Sequence, residues 1–225
     1  MAFDPSFRFA IAAVDAVVFG IDAGELKILL RTVETETNTY KGLSCVPGGV
    51  MRATENAEDT LKRILKDKAG LDSVYTEQLY TFTDINRDTR SRAVAIAYLG
   101  LVTPEVIKKY TFEKAAWVPV SSIPELAYDH GAMYTMAHKR LASKLLYTTI
   151  ARTLLPKLFT LSELQAVYEI ICGEVFDKRN FRKKILALDI IADSGEVQSG
   201  VANRPAALYS FVGKSVIDIP VIAGM

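Results

Sequence analysis

A change of texture near Pro156 divides this 225-residue chain into two parts that do not share one pattern. Up to about Pro119 it reads as short β-type runs, at 9–19, 26–31, 43–46, 77–83 and 93–102. Turn signals such as Asp22-Ala23-Gly24 and Asn86-Arg87-Asp88 separate them. One helix interrupts the series over 57–69, with Gly70 placed to cap its end. A second helix is expected over 132–154, stopping before Pro156.

Beyond Pro156 the order becomes helix, helix, hairpin. Thr160-Leu161-Ser162-Glu163 is a capping box, in which hydroxyl and carboxylate satisfy each other's orphan amides. Leu164, Val167, Tyr168 and Ile171 then follow helical spacing as far as Gly173. Asp177 is a good N-cap for a third helix through about Leu188. Ile190-Ile191-Ala192, a polar turn over 193–203 and an apolar run over 206–211 make a hairpin with a long tip. Helix–turn–helix followed by a two-stranded wing is the order of a winged helix. The boundary falls in 150–157, giving domains 1–152 and 153–225.

With half its residues apolar and 24% charged, the chain is a globular one. A net charge of +1 excludes a globally basic coat for nucleic acid but leaves room for a local patch. Two cysteines (Cys45, Cys172) and two histidines (His130, His138) are too few and too scattered for a zinc site or a disulfide framework. Free buried thiols in a reducing compartment are expected instead. The apolar run 9–19 contains Asp15 and is too short to span a bilayer, so a cytoplasmic protein without membrane contact is expected.

The local patch is found at 178–184, Lys-Arg-Asn-Phe-Arg-Lys-Lys, with five basic residues in seven. At about 100° per residue, Phe181, Ile185 and Leu188 share one narrow face and Arg179, Arg182 and Lys183 the opposite one. An apolar stripe would anchor such a helix and leave a rigid row of cations outside. Arginine grips guanine edges or phosphates at two points, and lysine adds point charge. A solvated helix face looks the same in isolation; the helix–turn–helix–hairpin order tips the reading towards DNA. Lys178, Arg179, Asn180, Arg182 and Lys183 are the expected DNA contacts, with Arg204 near the end of the wing as a sixth.

In the first part, Gly49, Glu55, Arg63, Gly70 and Leu71 have the spacing G-x(5)-E-x(7)-R with a closing glycine–aliphatic pair. This resembles the Nudix box, where three acids at i, i+3 and i+4 gather divalent metal around a pyrophosphate. Here those positions hold Ile64, Asp67 and Lys68. One carboxylate is lost, one is shortened and one is replaced by a cation. No catalytic residue, metal ligand or cofactor is therefore assigned, and metal-dependent hydrolysis is not expected. The cleft could still bind: Arg52, Asp84, Arg87, Arg90 and Arg92 offer donors and acceptors for phosphate or sugar hydroxyls, although a salt-bridged loop explains each of them singly. Trp117 is expected to be buried, and His130 and His138 to sit at a helix start and on the surface.

Taken together, the two parts resemble the Nudix-related transcriptional regulators, the group of NrtR and AraR. The degraded box matches their sensor half. Residues 154–165, 177–183 and Arg204-Pro205-Ala206-Ala207-Leu208-Tyr209 match their DNA-binding half and are closest to AraR-type members. The resemblance implies an α+β protein: a Nudix-fold α/β/α sandwich followed by a winged helix, acting as a homodimer on a palindromic duplex operator, as a repressor or another ligand-responsive regulator. Family effectors include ADP-ribose and L-arabinose, and the fold does not choose between them. The alternative is a Nudix hydrolase of nucleoside diphosphate derivatives with an accessory C-terminal domain.

Overall fold

The computed structural model describes residues 9–35, 39–72, 74–109, 115–199 and 205–222. Two compact units are present. One comprises Met1–Phe19, Lys27–Leu101 and Lys108–Ala137; the other comprises Gly20–Leu26, Val102–Ile107 and His138–Met225.

Strands β1 (Ile11–Asp22), β2 (Glu25–Thr32), β3 (Ser44–Cys45), β4 (Gly48–Val50), β5 (Tyr75–Phe82), β6 (Ala93–Val102) and β7 (Ala115–Pro119) form a single sheet. Its path runs β3-β2-β1-β6-β5, with β4 added to β1 and β7 to β2. Successive side chains of a strand face opposite sides. Because Val14 through Phe19 are all buried, both faces of β1 are covered. The β1–β2 turn places both central residues at positive φ, Ala23 at 53° and Gly24 at 77°, a geometry that matches the twist of a tight hairpin.

Helix α1 (Ala57–Ala69) has the predicted limits. Asn56 accepts from the Asp59 amide, Asp59 answers in a capping box, and Gly70 closes the end in the left-handed conformation at φ 60°. It buries Leu61, Ile64 and Leu65. The five predicted strand runs are strands. Three short elements had no readable period: β4, β7 and helix α2 (Pro104–Lys109).

Helix α3 (His130–Leu145) corrects one expectation, since the predicted helix ran on to 154. The helix stops because the chain finds other partners. Thr148 turns its hydroxyl back to the Lys144 carbonyl (2.7 Å), and Thr149 exchanges bonds with Ile217. Tyr147 and Leu146 accept from the amides of Ile219 and Ile222. Arg152 donates to the carbonyls of Gly213 and Ser215 at 2.8 and 2.7 Å. The C-terminal segment thus takes the backbone groups that a longer helix would have used.

Helices α4 (Leu161–Cys172) and α5 (Lys178–Ala187) and the antiparallel pair β8 (Ile191–Val197) and β9 (Ala207–Phe211) complete the chain. They form the expected winged helix, with an additional backbone bridge between Phe159 and Tyr209 on the outer side of the wing. No helix among the described residues is long and apolar enough to cross a membrane.

Candidate nucleic-acid interface and effector cavity

The C-terminal site is built from two caps and a buried aromatic cluster. Thr160 accepts from the Glu163 amide at 3.1 Å, and Glu163 accepts from the Thr160 amide at 2.7 Å. Gly173, at φ 71°, ends α4. The link to α5 is fixed by side chains of α4: Gln165 donates to the Phe176 carbonyl and Glu169 accepts from the Phe176 amide, both at 2.9 Å. Asp177 then caps α5 by accepting from the Asn180 amide at 2.8 Å. Phe181 and Ile185 are wholly buried. The Phe181 ring meets Tyr168 edge-on at 5.3 Å and stacks on Phe176 at 6.4 Å.

That anchoring settles which face of α5 is presented. Lys178, Arg179, Arg182 and Lys183 are exposed, while Asn180 is half-buried. Among the described residues, Arg179, Arg182 and Lys183 make no ion pair or side-chain hydrogen bond. A rigid helix therefore offers unspent cations on the side opposite its apolar stripe. Arg204, the sixth expected contact, lies outside the described residues.

The first unit contains a cavity of about 670 Å³. Its wall is formed by β1, the end of β2, the turn through Gly48, the last turn of α1, and the loop carrying Arg87 and Arg90. Arg87 is nearly inaccessible and forks onto Asp129, with Nε and Nη2 donating at 3.0 and 2.8 Å. Its Nη2 also lies 3.5 Å from Asp15. Arg90 forks onto Asp88 and lies over the Tyr128 ring at 5.4 Å. Its guanidinium holds the Asp88 carboxyl below the usual range.

Arg52, Asp84 and Arg92 do not line this cavity. The Arg52 side chain is 66% exposed beside Glu55. Asp84 accepts from the Asn86 amide as a local turn, and Arg92 ties the carbonyls of Thr83 and Asp84. Asp15, Arg31, Lys68, Tyr128 and His130, none of them expected as effector contacts, are among the residues that do line it. They come from distant segments, so no local spacing could announce them.

His130 opens α3, the helix start expected for it, and is 4% exposed. Its Nδ1 accepts from the Val46 amide at 3.2 Å, which leaves the proton on Nε2, 3.9 Å from Asp15. Burial holds the His130 imidazole below its ordinary value and pushes the Asp15 carboxyl up, against the pull of His130 and Arg87. Cys45, also on the wall, is a free thiol pushed up to about 11 by burial, so it is no nucleophile. Trp117 is half-buried in β7 and takes no part in the wall.

A divalent metal does not fit this chain's version of the box. Ile64 is wholly buried in the core, Asp67 is exposed, and Lys68 points its ammonium at the Gly48 carbonyl. Glu55 is committed to Arg63, which forks onto it at 2.6 and 2.7 Å and also donates to the Val50 carbonyl. Asp59 serves the α1 cap and Glu58 accepts from Tyr98. Among the described residues no three side chains of metal-ligating type converge. What survives of the box holds the turn to the helix.

The model of the NUDIX domain matches residues 11–138, and that of the NrtR DNA-binding winged helix domain matches residues 151–211. The ADPR responsive transcriptional repressor NtrR of Acinetobacter baylyi is 33% identical over 208 residues, covering 89% of this chain and 82% of that protein. The crystal structure of Shewanella oneidensis NrtR complexed with a 27mer DNA superposes with a TM-score of 0.77 at 31% identity, covering 89% of this chain and 93% of the other. The NUDIX domain of the same Shewanella protein, complexed with ADP ribose, gives 0.53 at 29% identity over 62% of this chain and 94% of the other. With both parts matched and a third of the residues shared along most of its length, this chain belongs to the NrtR-like, Nudix-related transcriptional regulators.

Proposed function

We propose that this protein is an effector-controlled repressor that binds a duplex operator as a homodimer in the cytoplasm, with residues 153–225 reading DNA and residues 1–152 binding the effector without hydrolysing it. The observation that carries this reading is α5, whose wholly buried Phe181 and Ile185 leave Arg179, Arg182 and Lys183 exposed and unpaired among the described residues. Such a helix meets the requirements of major-groove docking, with cations for phosphates and forked donors for base edges. The DNA-bound and ADP ribose-bound relatives support the same assignment of roles.

The effector is an ADP-ribose-type nucleoside diphosphate. A neutral pentose such as L-arabinose would leave the cationic part of the cavity uncompensated. Binding of the effector shifts the dimer away from its DNA-competent state, a linkage between two sites. The test is a gel shift on the duplex upstream of the protein's own gene, with and without ADP-ribose. Retarded DNA released by ADP-ribose is the expected result. Absence of any DNA complex, together with Mg²⁺-dependent cleavage of ADP-ribose that Asp67→Ala abolishes, would establish a hydrolase instead.

A further inference from the structure

Four cations line the cavity, and they are not equivalent. Arg87 and Arg90 are each forked onto a carboxylate, Asp129 and Asp88. Arg31 and Lys68 have no carboxylate within ion-pair distance among the described residues. Arg31 sits near the end of β2, in register with Cys45 on one side and Ala115 on the other. Its Nε is buried and finds no acceptor among the described residues. Such an orphaned donor ordinarily costs stability and calls for an explanation.

Lys68, on the last turn of α1, spends one proton on the Gly48 carbonyl and has two more to give. Its ammonium lies about as close to Gly49 as packing allows, 3.2 Å from where a Cβ would stand. The two cations sense each other: burial lowers the Lys68 pKa first, and the Arg31 charge lowers it further. Like charges held together in a half-dry wall gain when an anion enters between them. In the Nudix box, position 68 is one of the acidic, metal-holding places.

We propose that Arg31 and Lys68 form a built-in clamp that holds the phosphate groups of the effector directly, taking over the role that a divalent cation plays in metal-dependent relatives. This rests on the reading of the cavity as the effector site. A phosphate oxygen accepts from the Arg31 guanidinium and another from Lys68 Nζ. The fixed ammonium also repels a metal ion from the same place. Effector recognition is then independent of divalent cations, and a compound without phosphate lacks its main anchor.

The test is titration calorimetry on the full-length protein with ADP-ribose, AMP, adenosine and L-arabinose, each in EDTA and in Mg²⁺. Equal ADP-ribose affinity in both buffers is expected, with adenosine and L-arabinose much weaker. Lys68→Met and Arg31→Met should each weaken ADP-ribose by about 10- to 100-fold, the loss of one charge-assisted hydrogen bond. Arg31→Lys is the second variant should Arg31→Met melt early. ADP-ribose binding that requires Mg²⁺, or that survives Lys68→Met unchanged, overturns the clamp. So does L-arabinose binding with no affinity for any phosphate compound, which leaves the regulator reading intact. Gel shifts on the same samples separate the two claims. Loss of DNA binding by the wild type refutes the regulator, while the clamp is judged on calorimetry alone.

Discussion

Replacing both Arg179 and Lys183 by alanine tests the α5 surface without touching the fold. Both side chains are exposed and, among the described residues, unpaired. Their removal should leave stability within about 0.5 kcal/mol, the usual range for surface changes away from caps and cores. The effect on DNA is far larger. Each cation that neutralises a phosphate adds about 0.9 to the slope of log K against log salt. The proposed dimer would lose four cations, so the slope should fall by about 3.6. At about 0.15 M salt that amounts to roughly three decades of affinity, or about 1 kcal/mol per cation. Fluorescence anisotropy with a labelled duplex between 50 and 300 mM salt (about a sixfold range) measures the slope directly, beside a melting curve for each protein. An unchanged melting temperature with an unchanged slope would refute the placement of α5 against phosphates. A lowered melting temperature would instead indict the assumption that the two side chains are free.

Three further outcomes are expected. Glu55 is held down at about 2 by Arg63, so its contribution to stability is complete above about pH 4.5 and fades as pH falls towards 2; the melting-temperature gap between wild type and Glu55→Gln should shrink over that window, and a gap that widened there would contradict the pairing. Gly48→Ala would place a methyl group on the Asp15 carboxylate in the cavity wall; it should lower the melting temperature and weaken ADP-ribose binding together, whereas Gly131→Ala, where the added methyl meets nothing nearby, should do neither. Gln165→Leu strips the Phe176 carbonyl of its buried donor and should cost about 1–3 kcal/mol in chemical denaturation; a variant as stable as wild type would show that the α4–α5 link does not depend on that bond.

Local chemistry was legible in the sequence wherever it acts over a few residues. The capping box at Thr160 and Glu163, the left-handed stops at Gly70 and Gly173, and the Asp177 cap all stand where their spacing placed them. So does the apolar face of α5, because 3.6-residue periodicity decides which side of a helix is buried. The end of α3 was not legible, since Tyr147 and Thr149 exchange helical bonds for partners near residue 217, far along the chain. The cavity was only partly legible. Arg87 and Arg90 line it, but Arg52, Asp84 and Arg92, drawn from the same local clusters, do not.

The order of elements, the helix limits set by caps, and the loss of two acids from the metal-binding positions followed from the sequence by itself, because each depends on neighbours within one or two turns. Only the tertiary structure decided that Asp15, Arg31, Lys68 and His130 share one wall. Those residues come from two strands and two helices, and charge and burial act through space, where separation along the chain has no bearing.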